Sequence, residues 1–221
     1  MYKSCIFDLD GTLTDTLDSL TFSVNLTMKE MGLPGITREQ CRTFVGNGSR
    51  VLLEKSLQAV SKEAGTRLEE AMEIYGRVFR ENCMYHVTPY EGIVQLLDAL
   101  KDRGIKSAVL SNKPDRQAVC VVETVFGKDV FFQVQGQRDD VPRKPDPTAV
   151  FQIAKELGVT PKETIYIGDS EVDIRTGHAA GVRTIGVSWG FRSRAVLEEA
   201  GAEYIVDTPR ELLQLISTWE E

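Results

Sequence analysis

The sequence predicts an α/β protein with a parallel sheet and an inserted helical domain, and three observations carry that expectation. The apolar run Cys5-Ile6-Phe7 leads straight into Asp8-Leu9-Asp10-Gly11-Thr12. A short run of this kind reads as a strand buried on both faces, followed by the loop leaving its carboxyl end. From Thr88 onward helix-period and strand-period segments alternate, which implies βαβ units. Between these regions, from Thr16 to about Tyr85, the patterning is helical throughout. Together they predict a three-layer, Rossmann-like parallel sheet formed by residues 1–14 and 88–221, with residues 15–87 as an inserted helical cap domain. Both junctions are expected side by side above the sheet.

Within the insertion, Leu17, Leu20, Val24 and Met28 recur on one helical face until Gly32-Leu33-Pro34-Gly35 interrupts it. Thr37 and Gln40 have the spacing of a capping box that opens the next helix. After Gly46-Asn47-Gly48, the residues Val51, Leu52, Leu53, Leu57 and Val60 form a second stripe; Leu68, Met72, Tyr75 and Phe79 form a third. Met28, Met31 and Met72 are read as core of this domain.

In the second part, a helix over Ile93–Leu100 closes at Gly104, and a strand at Ser107–Leu110 follows. Then come a helix near Arg116–Phe126, a strand at Val130–Val134, and a helix through Val150, Ile153 and Leu157 that closes at Gly158. The strand Thr164–Ile167, a helix near Asp173–Ala180, the strand Arg183–Val187, and a last strand and helix between Glu203 and Trp219 complete the pattern.

A chain of 221 residues that is 42% hydrophobic can bury a sizeable core. Its formal charge of -7 and pI near 5.1 argue against a nucleic-acid-binding chain or a membrane-surface anchor, both of which depend on a positive field. Cys5, Cys41, Cys83 and Cys120 show no paired spacing and read as buried thiols in a reducing compartment. With no apolar leader and no run of membrane-spanning length, the expected location is the cytoplasm, as monomer or homodimer.

Ligands of open parallel sheets bind at the carboxyl ends of the strands, so the residues that follow each apolar run carry the functional reading. Asp8 and Asp10 follow the first run and Ser111-Asn112-Lys113 the second; Lys144 lies in the loop after the third, and Gly168-Asp169-Ser170 with Asp173 follow the fourth. Asp8 and Asp10 are two apart, so both side chains lean the same way and repel unless a cation, a shared proton or a basic side chain intervenes. Four carboxylates, a hydroxyl and a lysine suit phosphoryl transfer on a divalent cation. Hard oxygen ligands favour Mg²⁺, whereas zinc would want His or Cys; His86 and His178 lie away from the strand ends. DxDG does not fit a calcium-binding EF-hand loop, because its Gly is fourth rather than sixth and a strand precedes it.

Taken in order, Asp8-Leu9-Asp10-Gly11-Thr12, Ser111, Lys144 and Gly168-Asp169-Ser170-Glu171-Val172-Asp173 resemble the four signature motifs of the haloacid dehalogenase superfamily of phosphatases. The resemblance implies Asp8 as nucleophile and Asp10 as the acid that protonates the leaving oxygen and then the base that activates water. It also implies Mg²⁺ on Asp8, Asp10 (through its carbonyl) and Asp169, with Asp173 helping through water or by orienting Lys144. Thr12, Ser111 and Asn112 are expected substrate-binding residues, with Ser111 donating to a phosphoryl oxygen. A helical insertion between the first two motifs marks members with a helical cap.

Several further strings look like phosphoglycolate phosphatases: Val45-Gly46-Asn47-Gly48, Pro89-Tyr90-Glu91-Gly92, Ser111-Asn112-Lys113-Pro114, Asp140 to Pro147, and Trp189-Gly190-Phe191. The cap loop from Gly46 to Arg50 is then read as a lid over the substrate, with Gly46, Asn47 and Arg50 as substrate-binding residues and Arg50 pairing a substrate carboxylate; a plain interhelical turn is the competing reading of Gly46-Asn47-Gly48. Arg192 and Arg194 read either as anion-steering groups or as a solvated loop. The expected function is Mg²⁺-dependent hydrolysis of a small anionic phosphate ester through an aspartyl-phosphate, with phosphoglycolate the first candidate. Pyrophosphatase, sugar-phosphate phosphatase and phosphomutase activities stay open within the superfamily, and a receiver-like signalling module is the rival from another class.

Overall fold

The computed structural model describes residues 1–219, and the chain divides into two compact units, Met1–Thr14 with Pro89–Glu221 and Asp15–Thr88. Strand β1 (Ser4–Phe7) is buried at all four positions, as expected of a strand covered on both faces. The chain leaves the first unit through β2 (Thr14–Asp15) and returns through β3 (Thr88–Pro89); these pair as a two-stranded ribbon that the apolar patterning did not announce.

The second unit holds α1 (Leu17–Glu30), α2 (Arg38–Phe44), α3 (Gly48–Val60) and α4 (Leu68–Asn82). Leu17, Leu20, Val24 and Met28 are the buried apolar stripe of α1. The capping box at the start of α2 is present in both halves: Gln40 N donates to Thr37 Oγ1 at 3.1 Å and Thr37 N to Gln40 Oε1 at 2.8 Å. On α4 the buried residues are Ala71, Tyr75, Val78 and Phe79, while Leu68 and Met72 are half-buried. The expected stripe is thus rotated by about one residue, because α4 packs on both α1 and α3 and its buried face is broader than one line of side chains. Met28 and Met31 are core and Met72 is not fully so.

The chain then runs through α5 (Ile93–Asp102), β4 (Lys106–Pro114), α6 (Asp115–Phe126), β5 (Gln133–Gln137), α7 (Thr148–Leu157) and β6 (Thr164–Gly168). It ends with α8 (Glu171–Ala180), β7 (Arg183–Val187), α9 (Arg194–Glu199), β8 (Tyr204–Val206) and α10 (Pro209–Thr218). Six strands form one sheet in the order β5-β4-β1-β6-β7-β8, parallel throughout. On one face Ile6, Ala108, Leu110 and Tyr166 pack against Val150, Ile153 and Leu157 of α7 and Ala180 of α8. Helices α5 and α10 pack together elsewhere on the same unit.

Three local expectations need correcting. The strand expected at Val130–Val134 lies at Gln133–Gln137, with Val130 and Phe132 exposed in the turn before it; an edge strand is polar enough that the neighbouring apolar run misled the reading. Strand β4 does not stop at Leu110 but runs on through Ser111-Asn112-Lys113 to Pro114, with a register shift against β5 between Leu110 and Pro114. Of the four thiols, Cys5, Cys41 and Cys83 are buried but Cys120 is exposed on α6. Among the described residues no helix is long and apolar enough to cross a membrane.

Candidate active site

From β1 the chain steps first to β4 and β5 on one side and later to β6, β7 and β8 on the other, so the strand order reverses at the β1/β6 boundary. A crevice opens at such a switch point. Asp8 N donates to Ile167 O at 2.8 Å, which keeps the two strands paired up to the residue where the carboxylates begin. Asp8 and Asp169 therefore emerge from adjacent strand ends.

Lys144 lies between two of these acids: its Nζ is 2.8 Å from Asp8 Oδ1 and 2.8 Å from Asp173 Oδ1. The loop that carries it is fastened by Asn112, whose Oδ1 accepts from Lys144 N at 3.0 Å and whose Nδ2 donates to Lys144 O at 3.3 Å. Asp173 serves the helix as well as the lysine. Its Oδ2 accepts from Ser170 N at 3.1 Å and Ser170 Oγ at 2.6 Å, closing the capping box of α8, and Tyr166 Oη donates to its Oδ1 at 3.3 Å. Asp169 Oδ2 accepts from Phe191 N at 2.6 Å, and Thr12 Oγ1 reaches Asp169 Oδ1 at 3.5 Å. Gly11 turns at φ 91, and a Cβ there would lie 2.3 Å from Asp169 Oδ2, so only glycine lets the first loop come this close to Asp169.

Burial dominates the electrostatics. It pushes the Asp8 carboxyl up to about 7, helped by the Asp173 charge and opposed by Lys144. Burial likewise holds Asp169 well above the usual carboxylate range, with the charges of Asp173 and Asp8 adding to it. For Lys144, burial alone would lower the ammonium; attraction to Asp173 and Asp8 overrides it and keeps the group firmly charged. Asp10 is paired separately, with Lys113 Nζ 2.9 Å from its Oδ1.

With all four carboxylates ionised, Asp8, Asp10, Asp169 and Asp173 outnumber the two lysines paired with them, Lys113 and Lys144; Arg192 also offsets part of the Asp169 charge but is itself paired with Glu171. One oxygen from each of Asp8, Asp169 and Asp173 lies within 4.8 Å of the others. Asp8 Oδ1 is buried and has Lys144 Nζ at 2.8 Å as its partner. The surplus charge and the oxygen-only donor set fit a hard divalent cation.

These shifts set a pH dependence. The folded protein holds protons on Asp8 that the unfolded chain, with a carboxyl near 3.8, has already released, so metal-free stability falls as pH rises from about 4 to about 7. Asp169 acts in the same direction. Glu163, held down to about 2 by Lys3, acts in the opposite sense and loses its contribution as pH falls from about 4.5 towards 2. Melting temperatures of metal-free protein across this range are expected to decline towards neutrality, with a shallower decline for Asp8→Asn; a rise in the wild type across the window would contradict the assignment.

The structure brings together Asp8, Asp10, Ser111, Lys144, Asp169 and Asp173. Thr12, 1% exposed, turns its hydroxyl to Asp169, and the Asn112 amide is engaged by the Lys144 backbone. Both side chains brace neighbouring parts of the site. Of the expected metal set, Asp173 is taken up by Lys144, Ser170 and Tyr166, which favours the lysine-orienting role. In the helical unit, Gly46 and Asn47 lead into α3 with Asn47 at its N-cap. Arg50 forms a two-pronged pair with Glu69 at 2.8 and 3.0 Å, so its guanidinium is engaged within that unit. Arg192 and Arg194 pair with Glu171 and Asp207. The residue that sequence reasoning passed over is Lys113; its position two residues beyond Ser111 on a strand was the available signal.

The family model described as haloacid dehalogenase-like hydrolase matches residues 5–187, a span holding all six of these residues. The chain belongs to this family. Among similar haloacid dehalogenase-like hydrolases, the phosphoglycolate phosphatase of Haemophilus influenzae is 31% identical over 97% of this chain and 98% of that protein. The phosphoglycolate phosphatase of Aquifex aeolicus is 30% identical over 96% and 95%. The crystal structure of a predicted phosphoglycolate phosphatase from Haemophilus somnus superposes with a TM-score of 0.90 at 26% identity, covering 97% of this chain and 98% of that one.

Proposed function

We propose that this haloacid dehalogenase-like hydrolase is a Mg²⁺-dependent phosphomonoesterase acting on a small anionic phosphate ester, with phosphoglycolate the first candidate. The observation that carries the reading is Asp8 at the strand switch point, with Lys144 on one of its oxygens and Asp169 beside it. The names of the full-length relatives support the substrate.

An Asp8 oxygen attacks phosphorus, the bond from phosphorus to the ester oxygen breaks, and the departing oxygen takes its electron pair together with a proton from Asp10. Water then attacks phosphorus of the aspartyl-phosphate and gives a proton to Asp10, and inorganic phosphate leaves as the Asp8 carboxylate is regenerated. Lys144 holds Asp8 in place and offsets the charge gathering on the phosphoryl oxygens, and Ser111 Oγ supplies a hydroxyl to them. Asp8, the Asp10 carbonyl and Asp169 would hold Mg²⁺, which supplies further charge neutralisation when bound. Four cysteines kept as thiols suit a reducing cytoplasm.

A receiver-like module would preserve its aspartyl-phosphate, and a second acid two residues from the nucleophile works against that. The test is phosphate release with Mg²⁺ from phosphoglycolate, pyrophosphate, sugar phosphates and nucleotides. Phosphoglycolate is expected to give the highest kcat/KM; a higher value for any other member reassigns the substrate, and no release from any of them overturns the reading.

A further inference from the structure

We infer that Lys113 is a positioning residue that holds the Asp10 carboxyl in its working place. The inference rests on the phosphatase reading and extends it to a residue outside the four motifs.

Lys113 reaches Asp10 Oδ1 at 2.9 Å, and its side chain is only 1% exposed. Burying an ammonium costs several kcal/mol unless a well-placed partner compensates it, and Asp10 is such a partner. Two features of the backbone fix the lysine's aim. The register of β4 against β5 shifts between Leu110 and Pro114, and such irregularities redirect side chains. Beside the shift, Gly136 of β5 lies so close that a Cβ would stand 2.7 Å from Lys113 O and 2.5 Å from Asp115 Cα, while Gly136 N donates to Asp115 Oδ1 at 2.9 Å. The backbone around Lys113 is thus clamped from the edge strand. Lys113 N donates to Ser111 Oγ at 3.3 Å, a further tie on the backbone at the lysine.

Asp10 sits on the loop after β1 with its side chain 12% exposed, whereas Asp169 and Asp173 are held by several protein donors each. The ammonium engages one carboxyl oxygen, which fixes the rotation of the group and leaves the other oxygen for the reacting ester. General acid catalysis depends on that placement to within hydrogen-bond reach.

The experiment uses the wild type, Lys113→Met and Lys113→Gln with two esters. Phosphoglycolate needs a proton on its departing alkoxide; p-nitrophenyl phosphate releases a stable phenolate that does not. Both variants are expected to lose roughly 10²-fold or more in kcat/KM for phosphoglycolate, the scale of general acid catalysis, through kcat and with KM within about threefold. For p-nitrophenyl phosphate the loss in kcat/KM should stay below about threefold. The ratio between esters is taken on one preparation, so a partly unfolded variant does not distort it. An equal loss for both esters would make Lys113 a structural charge and overturn the inference. A selective rise in KM for phosphoglycolate would make it a substrate-anion binder and overturn it equally. A wild type that hydrolyses neither ester overturns the phosphatase reading itself, an outcome distinct from either.

Discussion

Replacing Asp8 with Asn is expected to remove phosphatase activity by at least about 10³-fold, within the range seen when an enzyme loses its nucleophile. Asparagine keeps the shape of the side chain but cannot form the aspartyl-phosphate, so both half-reactions disappear together. The fold should survive. Asp8 carries an unfavourable buried charge whose carboxyl is pushed up to about 7, and a neutral amide relieves part of that penalty. Above neutral pH the variant should therefore melt no lower than the metal-free wild type. Activity within tenfold of wild type would remove Asp8 from the mechanism.

Lys144→Met is the second large effect, and it falls on stability as well as rate. Lys144 Nζ is 2.8 Å from both Asp8 Oδ1 and Asp173 Oδ1, and it is 3% exposed. Without it three buried carboxylates face one another, and breaking a buried pair in this way costs about 3–5 kcal/mol. For a chain of this length that corresponds to a fall in melting temperature of roughly 6–20 °C. The loss should be larger at pH 8 than at pH 5, because the carboxylates left behind take up protons at the lower pH and shed part of the repulsion. Activity is expected to fall by about 10³-fold or more at either pH. A loss of stability with no pH dependence would mean that packing of the lysine stem, rather than charge, holds this region.

The order of elements was legible because a parallel sheet demands strands that are apolar on both faces, and Cys5-Ile6-Phe7, Thr164–Ile167 and Arg183–Val187 carry that signature. Legibility failed where the backbone, not the side-chain pattern, defines the element. Strand β5 reads Gln-Val-Gln-Gly-Gln on the sheet edge, so its ladder leaves little trace in hydrophobicity. The continuation of β4 into Ser111-Asn112-Lys113 is polar because these residues serve the site. Helix α9 spans six residues with one buried apolar side chain, too few to establish a period.

The site shows the same division. Asp8, Asp10, Lys144, Asp169 and Asp173 announced themselves as charges at strand ends, where carboxylates and a lysine have no packing reason to sit. The pairing of Lys113 with Asp10 joins residues 103 apart and depends on a register shift between two strands, which no spacing rule reports. Thr12 and Asn112 were legible as residues of the site, but their bonds to Asp169 and to the Lys144 backbone were not, since a hydroxyl or an amide at a strand end can face the ligand or the neighbouring loop. Arg50 in the helical unit is a further case, since its bidentate partner Glu69 lies 19 residues away on a separate helix.

The most direct test of the account is chemical capture of the intermediate. Protein turning over phosphoglycolate with Mg²⁺ is quenched and treated with borohydride, which reduces an aspartyl-phosphate to homoserine, and the peptides are mapped by mass spectrometry. The account predicts homoserine at position 8 and at no other aspartate, and none in Asp8→Asn. Homoserine at a different aspartate, or its absence at position 8 in protein captured under active turnover with a known acyl-phosphate detected alongside as control, would contradict it.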